Sequence, residues 1–388
     1  MVIKCDVLVV GAGPAGSSAA RAAAMWGAKT IFIDKKKEVG VPVQCAEGIG
    51  KYLFPYLPFK IPKRQLKWRI DGITFWVEGI TIERKGEIWD GYTIDRDKFD
   101  KWLANLAIQV GAELRTSYEL IDLEFDEEKN VKKAIIKIPK KTIEIAPRVL
   151  IAADGADSTV LKLLGLYNPK NGDIAEVYSW EMKNLDLKNP HMEQIYLGDF
   201  TPGGYAYIFP KSKKVANVGI GGLMREKELE KHFHEFLELE PVKKQLRNGE
   251  YVIEKTKNAV WGDLVDEWIY GNVLLAGDVA NHNLKPFVEG ILPAIVSGNL
   301  AGELGARMHN GEAIKMVHYI KSIEKKLHPH FRVSKDMINK IYGWFSSRHH
   351  GRDLLFVGTA AGLFELERLD ELEELSYEAL KTRLLRNN

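Results

Sequence analysis

Cysteine is nearly missing. The 388-residue chain has two, Cys5 and Cys45. No C-x-x-C pair exists, so no cysteine-based zinc or iron–sulfur site can be built. Such usage fits a reducing, intracellular setting. Long apolar runs are missing too. The longest near the C-terminus, Leu354 to Phe364, falls well short of the about 20 residues that a membrane-spanning helix needs. Any membrane contact is therefore expected to be peripheral. No signal-peptide pattern stands ahead of the first apolar strand. Nor is there an excess of charge: 55 basic and 53 acidic side chains leave +2, too balanced to point to nucleic acid. Repeats and low-complexity stretches are absent. What remains is a globular composition, 45% hydrophobic and 28% charged, with length for two or three structural units and a large core. The abundance of Lys, Glu and Ile leans toward a thermophilic source.

Against that plain background the first 34 residues stand out. Val7 to Val10 is a short β-branched run of the buried parallel type. Gly11, Gly13 and Gly16 follow at once as G-x-G-x-x-G. An Ala-rich helix comes next, and then a second apolar strand, Thr30 to Ile33, which ends at Asp34. Gly11 suits a tight turn, Gly13 a close approach of backbone to pyrophosphate, and Gly16 close packing of helix on sheet. The helix start would face phosphates with free N–H groups, and Asp34 stands where a carboxylate accepts hydrogen bonds from a ribose. Strand, glycines, helix and acid together predict dinucleotide binding. They do not choose between NAD and FAD.

Further along, residues 38–50 are irregular, rich in Gly and Pro, and hold Cys45. Residues 51–63 read as a Pro-rich connector. Residues 68–94 are β-rich, short strands with Gly turns that suggest an antiparallel sheet. Asp95 is a capping acid for a helix with Phe99, Leu103 and Leu106 on one face. Strands are expected over 113–116, 119–125, 134–138 and 148–153, and a short helix over 158–164. Residues 174–222 are again strand-rich, 225–248 helical and charged, and 273–276 a buried strand. A helix of small residues runs through Gly302. Beyond it, Val317, Ile320, Ile323 and Leu327 form one apolar stripe. The dinucleotide-type pieces are thus dispersed. They predict a discontinuous nucleotide domain (1–62, 95–165 and 265–302), an inserted β-rich substrate domain (63–94 and 166–264) and a helical C-terminal region (303–388).

The segments GAGPAGSSAAR, IDRDKFDKWLA, AADGADSTV and LLAGDVANHNLKPFVEGI resemble, in content and order, the FAD-dependent enzymes of the aromatic-hydroxylase-like fold. PVQCAEGI and YAYIFP-x8-GIG are similar to the geranylgeranyl reductases, the archaeal digeranylgeranylglycerophospholipid reductases above all. The likeness covers about the first 300 residues. The family's aromatic motif has Trp where Tyr207 stands here, Leu161 replaces a common Arg, and the loop before Gly290 lacks one glycine. The resemblance implies an α/β (α+β mixed) chain: a Rossmann-type FAD-binding domain with an inserted antiparallel sheet. It implies Ala15 at the pyrophosphate turn, Asp34 on the ribose, Arg96 on the phosphates or ribityl chain, and Leu120 offering backbone to adenine. Cys45, Ala46 and Gly48 would line the flavin. Asp278 would bind near the ribityl chain, and Gly290 and Ile291 would set N–H groups beside the pyrimidine edge, where a helix start favours negative charge.

The implied activity is reduction of isolated C=C bonds in geranylgeranyl lipid precursors by an FAD-dependent oxidoreductase acting on CH–CH bonds. Such a bond is unpolarised, so it needs a hydride on one carbon, a proton on the other and a sheltered apolar pocket. Tyr205, Tyr207, Phe209 and Phe287 are pocket-wall candidates, with sheet core as the rival reading. Cys45 is the candidate for proton transfer or for steering the alkene, with plain loop packing as its rival; Cys5 reads as core. His282 reads as a surface-loop histidine and Arg96 as a cofactor contact rather than a surface charge. Lys211, Lys213 and Lys214 read as a solvated turn that could also greet lipid phosphates. His232/His234, His328/His330 and His349/His350 lack matched ligands for a metal. Tyr342, Trp344 and Phe345, ahead of Arg348 and Arg352, suit helix core better than a membrane interface. The external reductant is open between NAD(P)H and a ferredoxin-like protein. A flavin monooxygenase or halogenase of the same fold, or a non-catalytic flavin or lipid carrier, stays open as well. A quinone-linked electron-transfer flavoprotein is disfavoured, since two cysteines cannot hold a four-cysteine cluster.

Overall fold

A computed structural model describes residues 2–388 except 87, 171–172, 224–225, 263 and 347–350. The apolar N-terminal run forms the strand Val2–Val10 at the heart of an eight-stranded sheet. It pairs in parallel with Lys141–Ala152 on one side and Thr30–Asp34 on the other. Glu113–Thr116 and Val273–Leu275 extend the parallel set, while Val131–Ile138 and Glu119–Phe125 add an antiparallel meander. The strand is buried on both faces, which is why its sequence is continuously apolar. Val7 and Val9 face the helix Pro14–Met25, and Leu8 and Val10 face the opposite layer, with Leu150 and Val160.

The helix Pro14–Met25 packs on this sheet side by side with the helix Ile291–His309, which also meets the strands through Gly305. Small residues set that distance. A Cβ built on Gly16 would stand 1.8 Å from the Gly11 carbonyl oxygen. Cβ atoms on Gly298 and Gly302 would each stand 2.1 Å from the carbonyl oxygens of Ala15 and Ala19.

The second sheet has seven strands in the order Glu250–Val260, Ile174–Lys183, Val215–Gly222, Gly204–Pro210, Met192–Leu197, Gly72–Val77, Ile80–Lys85. All pairs are antiparallel except Met192–Leu197 with Gly72–Val77. Alternation divides its two faces. Tyr196, Ala206, Ile208 and Val218 turn to the helix Glu226–Leu237, whose Phe233 and Phe236 are fully buried. Burial of each such ring contributes roughly 1.5–3 kcal/mol. Phe75, Ile195, Leu197 and Tyr207 turn the other way, toward Leu355, Phe356 and Phe364 of the C-terminal region. A three-stranded sheet of Gly48–Gly50, Gly91–Thr93 and Trp68–Ile70 bridges the loop after the second strand to the rest.

Several expectations need correcting. Asp95 precedes the helix Arg96–Gln109 but makes no side-chain cap. Its carboxylate is taken by Lys98 at 2.8 Å, Lys211 at 3.2 Å and Lys67 at 3.3 Å. The charged 225–248 segment breaks into two helices, Glu226–Leu237 and Glu240–Leu246, with Pro241 in the first turn of the second. The stripe on the helix Met316–Ser346 is Tyr319, Ile323 and Leu327, whereas Val317 is exposed. Among the described residues no helix is long and apolar enough to cross a membrane. Arg348, His349 and His350 lie outside the described residues, as do the side chains of His328, Tyr342, Trp344 and Phe345.

Candidate functional site

The C-terminal ends of the parallel strands open onto a cavity of about 620 Å³. Gly11, Gly13, Ala15, Asp34, Cys45, Arg96, Leu120, Asp278, Gly290 and Ile291 all line it. Residues scattered over most of the chain thus converge, at the crevice where open α/β sheets bind ligands. Gly16 does not face the space; it holds the turn from beneath.

The cavity has the chemistry of an anion cradle. The helices starting at Pro14 and Ile291 both begin with a glycine N-cap and have no side-chain cap. Their first N–H groups remain available. The position beyond Gly13 is open, with no atom within 4 Å of a built Cβ. Asp34 is held in place by N–H bonds from Ala12 at 3.0 Å and Lys36 at 2.9 Å, which leaves acceptor capacity for a ribose diol. Two positive ends for a pyrophosphate and a reduced ring, with a positioned acid for a ribose, fit FAD. Arg96 is more committed than expected. It forks onto Asp100 with two bonds of 2.7 Å and also reaches the Cys45 side chain.

A second cavity, about 250 Å³, lies under the inner face of the seven-stranded sheet. Tyr205, Tyr207, Phe209 and Phe287 all line it, as do Ala46 and Gly48. Tyr205 donates its hydroxyl to the Phe287 carbonyl at 3.1 Å, and their rings meet edge to face at 5.8 Å. The two cavities share Gln44, Cys45, Val177, Lys257, Val288, Gly290 and Ile291. Cys45 therefore stands where one space opens into the other. Its sulfur accepts the Glu47 N–H at 3.2 Å. The second cysteine, Cys5, is in the core, and burial pushes its thiol up to about 12.

Sequence reasoning passed over the device that holds this junction. Glu47 is 1% exposed, with a left-handed φ of 70°. Its carboxylate accepts from Lys211 at 2.7 Å, Asn217 at 2.9 Å, Lys255 at 3.0 Å and the Arg96 N–H at 2.8 Å. Burial alone would raise this carboxyl, but Lys255 and Lys211 hold it below its usual value. Lys255 and Asn217 also bond the carbonyls of Cys45 and Ala46, at 3.4 and 2.8 Å. The second sheet thus grips the cysteine loop through a buried ion cluster. Lys211, read as a solvated turn, is in fact buried within it, because Glu47 and Glu181 replace its water; Lys213 and Lys214 are exposed. His282 needs the same correction. It is 1% exposed, packed against Trp268 and Tyr319, and burial drives it down to about 3. Glu47 and Glu289 were in plain view inside PVQCAEGI and PFVEGI. For Lys255, Asn217 and Glu193 the one available signal was a polar residue on the inward face of an alternating strand. Among the described residues no group of three or more metal-ligating side chains forms.

This geometry suits a flavin-dependent oxidoreductase with an apolar cavity beside its cofactor cradle, and comparison with known proteins agrees. Residues 6–153 match the FAD-dependent oxidoreductase family and residues 173–260 the geranylgeranyl reductase catalytic domain. A digeranylgeranylglycerophospholipid reductase of Methanococcus aeolicus is 34% identical over 315 residues, 80% of this chain and 77% of that protein. That of Thermoplasma volcanium is 33% identical over 316 residues, 77% of each chain. The chain belongs to the digeranylgeranylglycerophospholipid reductase family and is an FAD-dependent reductase. A crystal structure of a geranylgeranyl bacteriochlorophyll reductase-like protein from Thermoplasma acidophilum superposes with a TM-score of 0.75 at 27% identity, covering 99% of this chain and 96% of that one. A flavin-dependent brominase shares the fold, with a TM-score of 0.69 at 16% identity over 98% of this chain and 94% of the other.

Proposed function

We propose that this chain saturates isolated C=C bonds in the geranylgeranyl chains of membrane-lipid precursors. One observation carries the reading: the anion-cradling cavity and the aromatic-lined cavity meet across Cys45, Val288, Gly290 and Ile291. An isoprenoid segment in the smaller space would lie against a flavin ring placed at that junction. Bound FAD, once reduced, would supply the hydride that an unpolarised alkene needs.

The chain's own residues do the rest. The helix start at Gly290 and Ile291 would stabilise negative charge on the reduced flavin. Asp34, Arg96, Leu120 and Asp278, which line the larger cavity, would hold the adenylate and ribityl portions. Phe209, Phe287 and Tyr205 exclude water from the alkene. Cys45 narrows the passage and steers the chain. One dinucleotide fingerprint serves the resident FAD, so the electrons arrive from a visiting NAD(P)H or a ferredoxin-like protein. A lipid substrate requires peripheral contact with a membrane face, which would be the cytoplasmic one.

Anaerobic incubation of the reduced enzyme with digeranylgeranylglyceryl phosphate, and separately with geranylgeranyl diphosphate, tests the reading. Products heavier by two hydrogens per bond are expected. Unchanged chain masses with both would refute it. C45S is expected to keep FAD and to change which bonds, and how many, are saturated; a product pattern identical to wild type would remove the steering role.

A further inference from the structure

Glu193 has no part in the account so far. It sits on the strand Met192–Leu197, level with Ile73 of the parallel neighbour, and turns into the aromatic-lined cavity. Its Oε1 lies 2.7 Å from where a Cβ on Gly48 would be, beside the Phe209 ring. Among the described residues it makes no hydrogen bond and no ion pair. Charged groups in an apolar chamber are otherwise matched. Glu47 and Lys255 bind each other, Lys257 leans to Asp278 at 3.7 Å, and Asp90 faces Arg69 and Lys51 at 3.7 and 3.9 Å. Glu289 accepts from Tyr52 Oη and from the Gly50 N–H, both at 2.7 Å. The remaining titratable side chains of the cavity are Cys45, Tyr205 and Tyr207; burial pushes both tyrosines up, and they stay neutral.

We propose that Glu193 is the catalytic acid of the reduction, carrying on its carboxyl the proton that the second alkene carbon receives. The proposal rests on the isoprenoid reading above. In the step, the π bond breaks and two C–H bonds form. One carbon gains a hydride from the reduced cofactor, which is left oxidised. The other gains the Glu193 proton. The carboxylate left behind regains its proton from water.

Two features keep Glu193 protonated before the step. Burial pushes it up, and the nearby Glu289 pushes it further, to about 8. Burial raises Glu289 too, but the bonds from Tyr52 and Gly50 offset part of that. Of the two carboxyls, Glu289 is therefore the one equipped to carry charge. A chamber that must exclude water then keeps a proton source of its own.

Infrared titration of the FAD-loaded enzyme without lipid provides a readout independent of turnover. A protonated-carboxyl band is expected at neutral pH, ionising near pH 8, and it should vanish in E193Q. With lipid, E193Q should saturate bonds about 100-fold more slowly or worse, while its flavin spectrum and rate of chemical flavin reduction stay as in wild type. E193D should recover part of the rate. A band unchanged in E193Q, or E193Q turnover equal to wild type, overturns the donor role alone. A wild-type enzyme that saturates no isoprenoid chain overturns the function and the donor role together.

Discussion

Glu47 anchors the cysteine loop to the second sheet and to Arg96 through four hydrogen bonds. It combines a left-handed backbone, which costs about 1–3 kcal/mol for a residue with a side chain, with a carboxylate surrounded by two buried lysines. E47Q would leave Lys211 and Lys255 short of a countercharge. It is expected to cost about 3–5 kcal/mol, read as a lower denaturant midpoint, and to loosen the cysteine loop so that FAD dissociates faster. The companion Asp95, drawn down to about 2 by bonds from Lys98 and Lys211 despite its burial, contributes stability that is complete above the unfolded value of 3.8 and lost as pH falls toward 2. Glu193 has the opposite sign. The folded chain keeps a proton that the unfolded chain releases above 4.5, so its contribution declines as pH rises from there to about 8. E193Q should therefore gain on wild type in thermal midpoint between about pH 5 and pH 9. A constant difference across that range would mean that Glu193 titrates like an ordinary surface acid.

At the scale of elements, the sequence announces what depends on local pattern. The apolar run Val7 to Val10 of the first strand, its glycine turn, the Ala-rich helix and the acid that ends the next strand were all readable, because each follows from neighbours a few residues apart. The β-rich runs of the second sheet over 68–94 and 174–222 were readable too, but its strand Glu250–Val260 was not. Roles set by distant partners were not. Asp95 has the form of a helix cap, yet three lysines claim it. His282 reads as loop surface, yet Trp268 and Tyr319 bury it. Packing of the helices Pro14–Met25 and Ile291–His309 lies between these cases. The glycines are visible in the sequence, but their partners, Ala15 and Ala19, come from the other end of the chain. G298V and G302V would drive side chains into carbonyl oxygens that cannot move without the first helix. Overpacking in cores costs typically 1–3 kcal/mol, and contact with backbone places these at or above the upper end. The first helix start would shift from the cavity, so both variants should purify with less FAD. Equal flavin content and stability would show that the two helices can part without harm to the cradle.

Across the whole molecule, the cavity proposed for FAD is where the chain closes on itself. Its walls come from the N-terminal turn, the 34–45 loop, Arg96, the 118–120 strand start, the 153–159 turn, the 256–258 strand and the 276–294 segment. No contiguous stretch could build it, which is why sequence motifs name its parts, and even the opening beside Cys45, without naming the buried contacts that hold them together. A ligand that touches all these segments binds the folded chain and not the unfolded one, so FAD should stabilise both sheets together. At a free concentration 100 times its dissociation constant that amounts to about 2.7 kcal/mol. Stripping FAD should thus lower the thermal midpoint of tryptophans on either side alike. Trp268 packs with the first sheet, and Trp76 and Trp180 with the second. Readding FAD should restore a single transition. If the second sheet melts at an unchanged temperature without FAD, the cofactor does not tie the two halves, and the grip of Glu47, Lys211 and Lys255 on the cysteine loop must hold them by itself.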